Sequence, residues 1–455
     1  MNNAKKQKVV IIGAGLVGLL LALYLSKRDE YEIEIYEKGT GDLREDKQHF
    51  RSINLSLTVR GLAALQGFSP ALRESVERAS VSVWKRTVYE KDEATTMPYG
   101  DPKTPFLLIE RFDLMGLLSE AVRSIASITI FYNSICKSIA DDFHSAVVSL
   151  DGGDVSVPFT YLMGVDGVHS QVRKELARLG DVNEGMVTSE YQYKACTIPV
   201  AFSLKHELQE NSTLIWPGEG RFLTALPNRD RSFNCLLFLP RSGPQSFGEL
   251  ESSNTKRMEG FLASAFPAVR DLAHEWSLAY HHSLAWDVHE VSCGPWAYKN
   301  VFLVGDAAHA VFPFHGQGAN AGLEDCALLY KKLESARGLS PELFTAFYQE
   351  RKQDTDAINF LTREHLSQLD SNAIDPHRWR NEINLRLAKR FAGEWLSMFE
   401  AIYASQMPYK EIMEREQRQQ LILETVSHAL LGNETIDQIE DQCVDAVTGL
   451  LQNGI

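Results

Sequence analysis

Six residues near the amino terminus, Gly13-Ala14-Gly15-Leu16-Val17-Gly18, have the spacing that cradles a pyrophosphate. Gly13 permits a tight turn. Gly15 lets the backbone approach a phosphate, and Gly18 lets a helix pack closely on a strand. A helix starting there presents unpaired N–H groups to an anion. Glu37, with Lys38 beside it, follows about 20 residues on, where a carboxylate accepts from ribose hydroxyls. An acid at that point favours a nucleotide without a 2′-phosphate. A second constellation, Gly305-Asp306-Ala307-Ala308-His309, continues through Pro313-Phe314-His315-Gly316-Gln317-Gly318-Ala319-Asn320. Its carboxylate suits a polyol hydroxyl, and its glycine-rich turn can lay N–H groups against an electron-rich ring edge. Between the two stands a third, Gly164-Val165-Asp166-Gly167-Val168-His169-Ser170-Gln171-Val172-Arg173.

These motifs need elements to hold them. The apolar, β-branched run Val9 to Ile12 predicts a buried strand, Leu16 to Lys27 a helix, and Tyr31 to Tyr36 a second strand. That βαβ opening predicts a parallel sheet. Strand patterns dominate from Glu184 to Trp286, at Ala195–Phe202, Phe222–Leu226 and Ser232–Leu239, with polar turns between them. From Leu343 onward the period is helical, and Ile436 to Ile455 reads as an amphipathic helix. The expected organisation is a nucleotide-binding part over 1–183, with early strands of the second unit near 80–110. A β-sheet substrate unit follows over 184–290, then the rest of the nucleotide-binding part over 291–345 and a helical region over 346–455.

Composition narrows the partners. The 455 residues are 44% hydrophobic and 23% charged, ordinary for a folded chain. Lys and Arg total 46 against 60 Asp and Glu, a net charge of −14. Phosphate backbones repel such a chain, so nucleic acid is not an expected partner. The six cysteines are dispersed, with no CxxC pair or metal knuckle, which fits a reducing cytoplasm and no metal site. No apolar stretch reaches the ~20 residues of a membrane span. The sequence leaves monomer and homodimer equally open.

The three motifs, in this order, resemble those of the single-component (class A) flavin monooxygenases of the aromatic-hydroxylase type. The glycine turn is similar to their ADP-binding turn, Gly164 to Arg173 to their DG motif, and Gly305-Asp306 to their GD motif. The resemblance implies an α/β fold of the glutathione-reductase type, with an FAD-binding Rossmann-like domain, an inserted β-sheet substrate domain and a helical carboxy-terminal region. It implies that Gly13, Gly15, Val17, Gly18, Glu37, Lys38, Ser56, Arg111, Asp166, Asp306, Gly318, Ala319 and Asn320 contact FAD. It also implies NADH or NADPH as co-substrate, and transfer of one oxygen atom from O2 through a flavin C4a-(hydro)peroxide.

Within that family the kynurenine 3-monooxygenase branch is the most similar. Arg51 to Leu57, Arg60-Gly61, Pro98-Tyr99-Gly100, Arg111, Trp216-Pro217 and Ala225 to Asn228 carry the likeness. That branch binds an amino-acid carboxylate with an Arg and two Tyr. Here Tyr99 supplies one Tyr, Lys85 falls at the Arg with Arg86 adjacent, Phe399 falls at the second Tyr, and His365 replaces a neighbouring Asn. His315 stands where Phe is usual. Lys lacks the bidentate fork of Arg, and Phe lacks a hydroxyl. The expected substrate pocket is therefore Lys85, Tyr99, Trp216, Phe314, His315, His365 and Phe399, with a dismantled carboxylate clamp and a small cyclic or aromatic substrate other than kynurenine. His315 is the candidate catalytic residue, biasing a peroxide's protonation toward ring hydroxylation or toward Baeyer–Villiger insertion. The alternatives are kynurenine-type aromatic hydroxylation, Baeyer–Villiger oxidation of a carbonyl heterocycle, and a flavin oxidase that transfers no oxygen.

Overall fold

The computed structural model describes residues 6–42, 53–90, 93–100, 103–180, 182–218, 220–251, 255–371, 378–391, 394–429 and 436–452. Arg51 and Ser52 lie outside the described residues.

The opening motif folds as its residue pattern dictates. Gln7–Ile12 is the central strand of a six-stranded sheet, and its last four residues are buried on both faces. Leu16–Leu25 follows as a helix whose residues are apolar all round and almost all buried, so it sits inside the domain rather than on its surface. Tyr31–Tyr36 then pairs parallel with the first strand. Tyr161–Gly164 flanks the central strand on its other side, and Val301–Leu303 pairs parallel with Tyr161–Gly164. Ile128–Phe131 closes one edge, and Ala297–Tyr298 pairs antiparallel at the other.

Register decides what meets at the top of this sheet. Ile12 is opposite both Gly164 and Tyr36, and Gly164 is opposite Leu303. Four strands therefore end level with one another. The residues that follow them carry Gly13, Glu37, Asp166 and Asp306. Motifs up to 293 residues apart in sequence meet at the carboxyl ends of parallel strands, the edge where open α/β sheets bind ligands.

A seven-stranded sheet forms the second unit. Its order is Trp286–Val291, Met186–Ile198, Phe233–Pro240, Arg221–Pro227, Ser212–Gly218, Lys85–Glu90 and Glu93–Pro98. All its pairings are antiparallel except Ser212–Gly218 with Lys85–Glu90. Alternation gives the sheet two faces. One carries Leu214, Trp216, Leu223 and Leu237 into a core shared with Met258, Leu262, Phe266 and Trp276. The other carries Ile215, Phe222, Leu236 and Phe238 toward Phe312 and Phe314.

The structure departs from the sequence expectation in two places here. The strand expected over Ala195–Phe202 ends at Ile198, and Pro199 leads into the short helix Val200–Lys205, where proline's fixed φ suits a helix start. Phe247–Glu251, Thr255–Ala265, Pro267–Leu272 and Ala273–His281, within the region expected to be mainly strand, are helical. Met258, Leu262, Phe266, Val269 and Leu272 recur at three- and four-residue intervals and are buried together against the far face of the sheet.

The helices Pro341–Ser371, Arg378–Arg390, Met398–Ala404, Tyr409–Ala429 and Ile436–Gln452 complete the chain. Among the described residues, no helix is long and apolar enough to cross a membrane.

Candidate active site

At the first turn, Gly13 and Gly18 answer to packing and Gly15 to something else. Gly13 has φ 109°, and a Cβ there would lie 2.7 Å from the Val165 carbonyl oxygen. A Cβ on Gly18 would lie 2.1 Å from the Gly13 oxygen. Gly15 has φ −71°, open to any residue, and a Cβ there would meet nothing within 4 Å. The chain itself does not require glycine at 15; a phosphate lying against that backbone does. This open cradle at the start of the Leu16–Leu25 helix fits the pyrophosphate of a dinucleotide such as FAD.

The surrounding side chains lock the turn. The Ala14 N–H donates to one Glu37 oxygen at 2.6 Å and the Gly39 N–H to the other at 2.8 Å, leaving lone pairs on each oxygen for a ribose hydroxyl. Lys38 is exposed beside it. Val17 packs against Gly305 and Gly322, where a Cβ would come within 3.0 and 2.6 Å of its methyls, so it joins the first motif to the second.

Asp306 is open to solvent, yet burial raises its carboxyl above the usual range, against the pull of His309 and Arg111. A side chain both accessible and surrounded by protein lines a deep cleft. Arg111, also exposed, opens the helix Arg111–Arg123 and acts on the same carboxyl. Gly318 begins the helix Gly318–Ser335 with Asp306 nearby, and Ala319 is half-buried beside it. The Asn320 side chain donates to the Ser56 carbonyl at 2.6 Å and the Gly316 carbonyl at 3.0 Å and accepts from the Thr58 N–H at 2.9 Å. It ties the ring-side turn to the strand Asn54–Leu57, which holds Ser56.

Asp166 holds its own motif together. Its oxygens accept from the Ser170 hydroxyl at 2.5 Å and from the Gln171 and Val172 N–H groups at 2.6 and 3.2 Å. It caps the helix Gln171–Leu179 and positions the turn. From that helix the buried Arg173 donates to the Ala307 carbonyl at 2.8 Å and to the Val168 carbonyl at 2.6 Å, pinning the second motif to the third.

Beneath the turn runs a buried ionic network that the motif reading missed. Asp325 accepts from His309 at 2.5 Å, from the Gly305 N–H at 3.2 Å and from Arg351 at 2.8 Å. Arg351 also reaches Glu324 at 2.6 Å, and Glu324 accepts from Arg60 at 2.9 Å. His309 and Arg351 hold the Asp325 carboxyl below its usual range although burial opposes them. Part of the sequence signal was available: Glu324-Asp325 are charges set among apolar residues, whereas Arg351 lies in a charged run that hides it.

Most residues of the expected substrate pocket lie on the near face of the seven-stranded sheet. Tyr99, His315, His365, Phe399 and Tyr403 converge there. His315 stacks on His365 at 4.4 Å between ring centres, and Phe399 stands edge-on to both at 5.5 and 5.1 Å. Tyr99 lies 5.9 Å from Phe399 and bonds Thr213 through its hydroxyl at 2.8 Å. Phe314 packs on Phe222 and Phe238 at 5.6 and 5.5 Å.

Two expected pocket residues lie elsewhere. Lys85 is half-buried with its ammonium 4.8 Å over the Trp84 ring. Successive strand residues face opposite ways, so the neighbouring Arg86 enters the pocket instead, its guanidinium 3.5 Å over Phe399 and 5.7 Å from Tyr99. The pocket therefore holds an arginine at 86 where the sequence pointed to Lys85. Trp216 points to the far face of the sheet, stacked on Tyr89 at 4.8 Å within the other core. Tyr403 was overlooked; it sits four residues after Phe399 on the same helix face and donates to the His315 carbonyl at 2.9 Å.

Arg86 is buried, and among the described residues it has neither an ion pair nor a hydrogen bond; its Nε is closed off from solvent with no partner. Burial lowers its affinity for a proton, which Tyr99 and Tyr403 partly oppose. His315 is fully buried, and neither ring nitrogen has a partner of good hydrogen-bond geometry. Burial, then the charge of Arg86, pushes its ring down to about 3, so it is neutral at physiological pH.

Four level strand ends, an open phosphate cradle and a cleft carboxylate beside a separate aromatic pocket define a flavoprotein that works on a small molecule. The chain belongs to the FAD-dependent monooxygenases: the family described as FAD binding domain matches residues 6–358. It is 28% identical over 425 residues to kynurenine 3-monooxygenase of Flavobacterium psychrophilum, covering 93% of this chain and 94% of that protein. It is 30% identical over 418 residues to kynurenine 3-monooxygenase of Myxococcus xanthus, covering 90% and 88%. Its fold is similar to that of the tetrameric form of 2-methyl-3-hydroxypyridine-5-carboxylic acid oxygenase, with a TM-score of 0.67 at 19% identity over 82% of this chain and 95% of that one.

Proposed function

We propose that this monooxygenase uses NADH or NADPH and O2 to insert one oxygen atom into a small aromatic or cyclic metabolite that carries an anionic group. The observation that carries the reading is Arg86, a buried guanidinium without a counter-ion in the aromatic pocket. A buried charge needs a partner, and the planar fork of Arg suits a carboxylate. FAD, when bound, supplies the activation of O2 and the oxygen transfer. The chain's own groups do the rest: Gly15 admits the pyrophosphate, Glu37 and Asp306 accept from hydroxyls, and the Gly318 helix start faces the ring edge. Phe314, Phe399 and Tyr403 exclude water, while Arg86 orients the substrate.

Among anionic substrates, we favour one other than kynurenine, because Phe399 and His365 replace two polar contacts of the kynurenine 3-monooxygenase branch. Kynurenine hydroxylation is the second reading, favoured by Arg86 itself. Holoenzyme given kynurenine and NADPH separates them. Formation of 3-hydroxykynurenine coupled to NADPH consumption establishes the second. Absent or uncoupled turnover with kynurenine, alongside coupled turnover of another aromatic acid, establishes the first.

A further inference from the structure

Orphaned polar atoms concentrate in one place. Besides Arg86, they include both ring nitrogens of His315 and the hydroxyl of Thr362, one turn before His365 on the helix Pro341–Ser371. His315 and Thr362 are fully buried. A neutral imidazole offers one donor and one acceptor; the Leu361 carbonyl draws on the donor, and an acceptor left unmet in a buried site costs stability. Groups that a chain keeps at such a cost are explained when a ligand completes them. The His315 ring cannot turn freely to escape: His365 lies parallel beneath it at 18° and Phe399 stands edge-on beside it. The Tyr403 hydroxyl holds its carbonyl. The positive Arg86 keeps a proton off the ring, so one nitrogen retains its lone pair.

We propose that the stacked His315–His365 pair is a specificity determinant, in which His315 accepts a hydrogen bond from an N–H or O–H on the ring of an aromatic acid whose anion sits on Arg86. His365 is a positioning residue that fixes the plane of His315. The inference rests on the reading of Arg86 as the anion site, and it narrows the substrate to aromatic acids with a ring-borne donor. A site built to pair such a donor discriminates against the analogue lacking it.

The test is binding to holoenzyme, read by perturbation of the flavin absorbance, with benzoate and the 2-, 3- and 4-aminobenzoates as probes. Wild type should bind at least one aminobenzoate about tenfold tighter than benzoate, the worth of one hydrogen bond. H315F, with FAD content equal to wild type, should bring that ratio below about twofold while leaving benzoate affinity within twofold. H315N, which keeps a donor and an acceptor, should restore part of the preference. H365F, which keeps an aromatic stack, should retain more of it than H365A. R86Q should weaken all four ligands in parallel. A preference that survives H315F, or an H315F that weakens benzoate and aminobenzoates alike, overturns the inference while Arg86 stands. Benzoates that do not bind, or that bind equally well to R86Q, overturn the anion reading and this inference with it.

Discussion

At the residue scale the pocket is governed by two buried cationic-capable groups with opposite fates. Arg86 stays charged and waits for an anion; His315 stays neutral because burial and Arg86 both disfavour its proton. R86Q should raise the Kd or KM for an anionic substrate by roughly 10–100-fold, the worth of a charge-assisted hydrogen bond, with flavin content unchanged; a titration of binding on the two holoenzymes measures this. His315 also carries a pH signature. Its ring falls from 6.5 to about 3 in the folded state, so the unfolded chain binds the extra proton between those values. Stability should therefore be lost as pH drops from 6.5 toward 3, by up to about 5 kcal/mol from this group. Denaturant melts across that window should show a shallower acid limb in H315F than in wild type.

At the scale of elements, the glycine turn separates packing from binding. G18A puts a methyl on the Gly13 oxygen and should destabilise the fold. G15A adds a Cβ that meets nothing within 4 Å, so apo stability should stay within about 1 kcal/mol of wild type while FAD affinity falls at least tenfold. Thermal melts of the apoproteins and flavin titrations give both numbers. The network under the Gly305 turn ties the helices Gly318–Ser335 and Pro341–Ser371 together through Asp325 and Arg351. R351M leaves the buried Asp325 without its arginine, while Glu324 keeps Arg60, and should cost about 3–5 kcal/mol by equilibrium unfolding.

At the scale of the whole molecule, the nucleotide site was legible because its parts are local. A strand, a glycine turn and a helix announce themselves within 20 residues, and the parallel sheet follows from that order. The pocket was less legible because it depends on pleat. Lys85 and Arg86 are adjacent in sequence and on opposite faces in space, so a shift of one position exchanges which of them enters the aromatic pocket. Trp216 failed for the same reason: Thr213 and Ile215 face the near side, Leu214 and Trp216 the far side. The capping role of Asp166 was not legible, since sequence does not show which backbone N–H groups a carboxylate meets. His315, His365 and Phe399, expected in one pocket, do lie together as stacked and edge-on rings.

The central claim is that this chain transfers oxygen to an anionic ring held by Arg86. The most direct measurement is turnover of FAD-loaded enzyme with NADPH, 18O2 and a panel of aromatic acids that includes kynurenine, followed by mass spectrometry of the products. The account predicts one 18O atom in the product of at least one acid, with incorporation collapsing in R86Q while flavin content holds. NADPH consumption that yields only peroxide and no labelled product from any acid, or labelling that R86Q leaves untouched, would contradict it.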